Sequence, residues 1–290
     1  MKPSPWTTVV LTAASYALIL RALSPAPTTL ATLRSNNRKL SATHSTITTT
    51  LALYCLRYSS WDLPDSTPSP SASQGSPKQP IDPSTTPRTT HLDDSHNPLI
   101  QSRSTFANYI TSFETGYIIH DILALLYSSY LSRSLPRSLL RAPAYLAQDA
   151  PIFFAHHVAL IASLGLLQTY IAKGREKGGK IILAFLLMNA SNPLLHARWF
   201  VRQRTGRADK RVDVAFAAVF AASRFGAVAW VLSNYGAFHG LGAWEAYKRL
   251  RWQRRSGTAA LTGFNAVWWV LLVSKIAQRE VLERRVREKT

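Results

Sequence analysis

The sequence predicts an all-α protein, a multi-pass transmembrane helical bundle with about seven spans (six to seven). Two observations lead to this fold class. Apolar runs of membrane length alternate with very polar connectors, so a mean hydropathy near zero averages two unlike materials. Crossing ~30 Å of hydrocarbon takes ~20 mostly apolar residues in a helix, and several runs approach that length. The net charge of +19 lies in the connectors between the runs.

The predicted spans differ in strength, and the fourth, fifth and sixth are the most apolar. The first is short and follows Lys2, so a cleaved signal peptide stays open as an alternative, although another apolar run follows it. The second is weaker because threonine dominates "SATHSTITTT"; it is stable if it packs among other helices. The spans are residues 6–22, 41–57, 106–130, 149–172, 181–201, 212–234 and 257–275.

Residues 59–104 are rich in Ser, Thr and Pro and have almost nothing to bury, so we expect a disordered insertion in which His91 and His96 are solvated. The predicted organisation has three parts. These are an N-terminal transmembrane segment and connector (1–37), a transmembrane domain (38–278) that contains the insertion, and a basic C-terminal tail (279–290).

The composition argues against several functions. Nucleic acid is not the expected partner, because the basic residues follow no single helix or groove and form no known binding signature. A single cysteine, Cys55, excludes an internal disulfide framework. We expect no metal and no cofactor, since the eight histidines form only one adjacent pair and lack the repeated HxxxH boxes of di-iron desaturases.

Orientation rests on a small bias. Lys and Arg near the span ends slightly favour the side of the C-terminus, and the tail ends in clustered positive charge. Both features predict a cytosolic C-terminus next to an anionic leaflet.

Ionisable and amide side chains inside the spans are the candidate site. A charge near the bilayer centre costs ~2.5–3.5 kcal/mol on insertion scales, so such residues normally face a protein-lined cavity. The candidates are Glu114, His120, Asp121, Asp149, His156, His157, Asn189, Asn192, His196 and Arg224.

The fourth span has the most unusual pattern. Uninterrupted helical geometry places Asp149, Phe153 and the two histidines along one face, although His156 and His157 themselves diverge by about 100°. Two interpretations stay open. The histidines are neutral and bonded between helices, or they act as a general base or an oxyanion-binding pair in chemistry on a lipid.

Three further features have structural interpretations. Pro193 is expected to kink the fifth span, with the neighbouring asparagines sealing the kink or facing a cavity. Arg224 is expected to form an ion pair with one of three acidic residues. Gly116 and the Ser128–Ser129 pair predict close helix approach. The possible partners of the arginine are Glu114, Asp121 and Asp149.

The order of five segments resembles the TLC-domain family, the multi-span domain shared with ceramide synthases. The segments are "NNRKLSATHS", "FETGYIIHDILALLY", "APIFFAHHVALIASL", "LLMNASNPLLHARWF" and "SRFGAV". The double histidine, the G-Y-x-x-x-D before it and the S-x-P-x-x-x-x-R-W after it match in order and spacing. The overall pattern is most similar to the shorter branch of TLC proteins that are not ceramide synthases.

The resemblance implies a lipid-related protein of the endoplasmic reticulum or a related endomembrane. His156 and His157 match the paired histidines thought to be catalytic in ceramide synthases, which transfer an acyl chain from acyl-CoA to a sphingoid amine. The chain departs from those enzymes, because no acidic residue follows the histidines before Glu176 and no further histidine follows them there. Asn189 stands where the shorter branch usually has an acidic residue.

Three functions follow as hypotheses. The first is a protein that binds, senses or moves a lipid and contributes to membrane lipid homeostasis, with membrane lipids as partners. The second is an acyltransferase that uses His156 or His157 as general base, with acyl-CoA as co-substrate. The third is a membrane interaction protein or cargo receptor.

Overall fold

The computed structural model describes residues 4–63, 92–133 and 138–287, and in these ranges the protein is all-α. The described residues form no strand, and their isolated antiparallel bridge joins Asp62 to Arg103. The predicted fold class is therefore confirmed. The helices are α1 (Pro5–Leu23), α2 (Leu30–Tyr58), α3 (Pro98–Gln101), α4 (Thr105–Leu131), α5 (Ala142–Asp149), α6 (Pro151–Ala172), α7 (Gly179–Leu186), α8 (Asn192–Thr205), α9 (Lys210–Phe238), α10 (Ala243–Arg249) and α11 (Trp252–Arg287).

Each of the seven predicted spans coincides with a helix, and α7 and α8 together form the fifth. Within the described ranges, five segments are long and apolar enough to cross a membrane. Helices α2 and α4 fall outside these five because they carry many polar side chains. Most of those on α4 are buried inside the bundle, and α2 buries Asn36, His44, Ser45 and Thr48. The five segments are Pro5–Leu23, Pro151–Ala172, Gly179–Thr205, Lys210–Phe238 and Trp252–Val281.

Helix α1 packs tightly against α4, as Gly116 predicted. A Cβ atom added at Gly116 would lie 2.5 Å from the carbonyl oxygen of Val9 and 2.7 Å from Cβ of Thr12. Tyr16 and Leu20 of the same helix join the core with Tyr117 of α4. The first apolar run is thus an integral part of the bundle.

The fourth predicted span is divided, which corrects the expectation of one continuous helical face from Asp149 to His157. The backbone of Ala150 adopts φ −148° and ψ 64°, so α5 ends at Asp149 and α6 begins at Pro151. Proline lacks the N–H that would continue α5, and it fits the first turn of a new helix. Asp149 therefore does not share a helix face with the histidines.

Two parts of the predicted disordered insertion, residues 59–63 and 92–104, have a described structure. Residues 92–104 are ordered, because Asn97 caps α3 through its side chain and Leu99 and Ile100 pack with Tyr235 and Ala246. His96 is exposed, as expected for a solvated side chain. Residues 64–91, with His91, lie outside the described part of the chain.

The backbone changes character before Pro193. Residues Leu187–Ser191 form a 3-10 segment between α7 and α8, and Pro193 lies in the first turn of α8. The predicted local distortion is thus a short 3-10 insertion, which turns Asn189 towards α4.

We predict that Gly116→Ala destabilises the protein by about 1–3 kcal/mol, because the added methyl group overlaps the backbone carbonyl oxygen of Val9 and α1 must shift to make room for it. Gly226→Ala is the matched control, since nothing lies within 4 Å of its Cβ position and alanine favours a helix. Thermal unfolding in detergent measures both. Equal stability of the two variants would show that α1 and α4 are not in contact.

Candidate functional site: a buried polar centre

The site is built on two helices that run in opposite directions, α2 and α4. Asn37 bonds to Asp121, and His44 bonds to Glu114, so each helix contributes a pair of polar residues seven positions apart. Seven residues are about two helical turns, so both members of a pair lie on nearly the same face. The two carboxylates of α4 are thus buried against α2 at two levels, about 10 Å apart along the helix axis.

The first level is closed and fully bonded. His44 Nε2 lies 2.9 Å from Glu114 Oε2, and its Nδ1 lies 2.9 Å from the Tyr16 hydroxyl. Asn189 donates to the other carboxylate oxygen at 3.1 Å. A neutral imidazole satisfies this arrangement if Tyr16 donates to Nδ1 and Nε2–H donates to the carboxylate. Because His44 is only 1% exposed, this level is a structural connection among four segments.

The second level joins α4 to α6. His157 Nε2 lies 2.9 Å from Asp121 Oδ2, and Asn37 donates to Oδ1 at 2.9 Å. His157 Nδ1 lies 3.0 Å from the carbonyl oxygen of Phe153, which only accepts hydrogen bonds, so Nδ1 carries a proton. A second proton then lies in the hydrogen bond between His157 Nε2 and the Asp121 carboxylate. Both ring nitrogens are therefore occupied, and neither has a lone pair directed at a substrate.

His156 is placed differently from its neighbour. Its side chain is exposed on the outer surface of α6, and its ring plane lies at 88° to that of His157. The predicted divergence of the two rings is thus present in the structure. His157 is the one that bonds to a neighbouring helix.

A cavity of about 350 Å³ opens beside the second level, between α2, α4, α5, α6 and α8. Its wall is partly apolar and partly polar, and the break at Ala150 provides one side of it because α5 turns away from α6 there. The polar lining includes Arg34, Asn37, Arg38, Ser41, Asp121, Ser128, Ser129, Asp149 and His196, and the apolar lining includes Leu125, Leu146, Phe153 and Leu195.

Three polar atoms at this cavity are buried and lack a hydrogen-bond partner among the described residues. They are Asn37 Oδ1, Ser129 Oγ and His196 Nδ1. His196 uses its other nitrogen, Nε2, to contact Ser41 Oγ at 2.9 Å. Buried polar atoms are nearly always bonded, so these three atoms leave hydrogen-bonding capacity unused in the polar wall of the cavity.

The other predicted site residues are distributed over the bundle. Asp149 lines the cavity, and it is bound by Arg133 at 2.7 Å. Asn189 belongs to the closed level, and Asn192 approaches Ser45 at 3.4 Å instead of lining the cavity with Asp121. His120 lines a separate cavity of about 300 Å³ between α1 and α4.

Arg224 forms no ion pair with Glu114, Asp121 or Asp149, so that prediction is wrong. Its guanidinium donates to Asn265 Oδ1 at 3.1 Å and lies 4.4 Å from the centre of the Phe220 ring. The reason is geometric. Arg224 on α9 faces α11, whereas Glu114 and Asp121 face α2.

Sequence reasoning missed Tyr16, Asn37 and His44 as members of the centre. It also missed Gln168, whose amide joins Ser112 and Thr115 across α4 and α6 with distances of 2.7 and 3.0 Å. One signal was available for α2 and α4. The seven-residue spacing from Asn37 to His44 equals that from Glu114 to Asp121, as expected for partners on antiparallel helices.

These features define a multi-pass membrane protein with a buried polar centre and a cavity beside it. A family model for the TLC domain (TRAM/LAG1/CLN8) matches residues 34–274. The chain belongs to the TLC-domain family. Neither a curated protein nor a solved structure matches it significantly.

We predict an energetic coupling of about 0.5–3 kcal/mol between Asp121→Asn and His157→Gln, because the two side chains contact each other inside the bundle. The control cycle pairs His157→Gln with Glu114→Gln, since no contact joins Glu114 to His157 among the described hydrogen bonds. Chemical or thermal unfolding of the single and double variants gives the coupling. Additive losses in the first cycle would mean that the two side chains do not form a pair.

Proposed function

We propose that the protein binds a membrane lipid in the cavity beside Asp121 and thereby contributes to membrane lipid homeostasis. The carrying observation is an amphipathic cavity with three buried polar atoms that have no partner among the described residues. Its volume of about 350 Å³ is within the ~300–1,000 Å³ typical of small-ligand sites.

The lining indicates how such a ligand would lie. Phe153 and Leu195 are each 37% exposed, so the apolar wall continues from the cavity to the outer surface of the bundle. A polar lipid portion fits inside, and its hydrocarbon chain leaves along this wall. The volume is too small for a whole two-chain lipid.

The polar groups restrict the chemistry of the ligand. Asp121 and Asp149 are already bound by protein partners, so their charges are partly neutralised. Asn37 Oδ1 accepts only, so the ligand must present a donor such as a hydroxyl, amine or amide. Ser129 Oγ can donate in return. A hydroxyl-bearing or amide-bearing lipid meets both requirements.

The proposal includes a location and an orientation. Membership in the TLC-domain family supports the endoplasmic reticulum or a related endomembrane. We also propose that the chain belongs to the shorter branch without ceramide synthases, which favours lipid binding over synthesis. The basic residues at the end of α11 support a cytosolic C-terminus.

Filling the cavity tests lipid binding. Leu125→Trp adds an indole to the cavity wall, so we expect it to lower the amount of lipid that copurifies in detergent by severalfold. Leu126→Trp is the control, because it makes the same change one position away on α4 at a residue that does not line this cavity. Mass spectrometry of extracted lipids gives the readout. Equal lipid content in both variants and a lipidome unchanged by deletion of the protein would refute the proposal.

An acyltransferase is the second candidate, and one observation favours it. His196 lines the cavity, and its Nδ1 is buried without a hydrogen-bond partner among the described residues, so a small rotation of the ring would present it to a lipid hydroxyl or amine. In this arrangement the general base is His196, because both nitrogens of His157 are bonded and His156 lies on the outer surface. The base removes the proton of the attacking hydroxyl or amine, which forms a bond to the carbonyl carbon of acyl-CoA and breaks its thioester C–S bond. Coenzyme A leaves as a thiolate and takes the proton back from the imidazolium.

Acyl transfer from acyl-CoA is tested with three variants. We expect His196→Gln to lower the rate by about 10²–10⁴-fold, as loss of a general base does, and His156→Gln to leave it unchanged. His157→Gln breaks the contact with Asp121, so it shows how much activity is lost when the bundle is destabilised without removal of the proposed base. Activity that survives His196→Gln would rule out this residue as the base. Loss of activity in a stably folded His156→Gln protein would assign the role of general base to the paired histidines.

A further inference from the structure

A third cavity, of about 390 Å³, lies between α8, α9 and α11. Its lining differs from that of the cavity beside Asp121, because most of its polar side chains are basic. These are Arg198, Arg202, Arg224, Lys275 and Arg279. The apolar part of the wall includes Phe216, Phe220, Trp268 and Leu272.

The basic residues are only partly neutralised by the protein. Asp213 binds both Arg198 and Arg279, so one carboxylate is shared by two guanidinium groups. Arg202 and Lys275 have no carboxylate partner within the described part of the chain, and Arg224 contacts only the neutral groups of Asn265 and Phe220 there. The cavity therefore retains a large excess of positive charge.

Most of the basic residues of the cavity lie near one end of the bundle, and Trp268 lies farther from that end. Helix α8 ends at Thr205 and α9 begins at Lys210, so Arg202 and Asp213 lie at the same end of the bundle. The bond between Asp213 and Arg279 brings that part of α11 to the same level. Lys275 is one turn deeper, and Trp268 lies about 10 Å below Lys275 along α11.

This arrangement matches an anionic amphiphile. The mouth offers two uncommitted cations, Arg202 and Lys275, and the interior offers aromatic and aliphatic side chains. Arginine and lysine bind phosphate through short, charge-assisted hydrogen bonds, which strengthen where water is scarce. We propose that this cavity binds an anionic glycerophospholipid, with its phosphate at Arg202 and Lys275 and an acyl chain along Trp268. The two cavities share Leu195 but no polar lining residue, so this proposal does not rest on the lipid proposed for the cavity beside Asp121.

Native mass spectrometry of the full-length protein in detergent tests the proposal. The probes are phosphatidylglycerol, phosphatidylcholine and sn-glycerol 3-phosphate. We expect wild type to retain phosphatidylglycerol in preference to phosphatidylcholine. We expect the double variant Arg202→Gln, Lys275→Gln to bind phosphatidylglycerol at least about tenfold more weakly, because it loses both cationic groups that donate hydrogen bonds to the phosphate.

The matched control is Arg204→Gln with Arg211→Gln, which removes the same charge at the same end of the bundle from exposed residues that do not line the cavity. Its binding should equal that of wild type. Equal loss in both double variants would overturn the site, because it would show a general charge effect. Equal binding of the two lipids by wild type would also overturn it. Tight binding of sn-glycerol 3-phosphate would assign the cavity to free phosphate esters and contradict a lipid site.

Discussion

The pairing of α2 with α4 is the interaction on which the rest of the structure depends. Helix α4 carries Glu114 and Asp121 through the interior of the bundle, where an unpartnered charge costs several kcal/mol. Asn37 and His44, at the same spacing on the antiparallel α2, supply partners for both. The register of the two helices is thereby set by polar contacts rather than by apolar packing alone.

The neighbouring segments are placed by the same two carboxylates. Helix α1 closes the first level, because Tyr16 bonds to His44 and Gly116 permits the close approach that this requires. The 3-10 segment before α8 brings Asn189 to Glu114. At the second level, the break at Ala150 ends α5 and starts α6, whose His157 reaches Asp121. The cavity lies where this break opens the bundle, so the structural centre and the proposed lipid site share Asp121.

Apolar runs in the sequence predict the helices well, because burial in lipid requires long stretches of one composition. The close contact at Gly116 is also predictable, since a missing side chain has few other roles inside an α-helix. The partner of Arg224 is not predictable in this way. It depends on which face of α9 meets which neighbour, and the sixth span has apolar residues on every side. Local pattern likewise does not reveal that residues 92–104 are ordered, because their stability comes from packing against distant Tyr235 and Ala246.

The role of the paired histidines changes most between sequence and structure. Their adjacency favours a shared function, yet consecutive positions on a helix point apart, and only His157 reaches the polar centre. Its two bonds make it a connector between α4 and α6. The imidazole nitrogen that lacks a partner among the described residues belongs to His196, farther along the chain, which the sequence offered only as one of several lining residues.

The most direct measurement is an experimental structure of the protein in lipid nanodiscs at a resolution that shows bound lipid. Our account predicts lipid density in the cavity beside Asp121, with its polar part within hydrogen-bond distance of Asn37, Ser129 and His196, and with His157 bonded to Asp121. A closed cavity, or a cavity that holds only water while His157 turns away from Asp121, would contradict it.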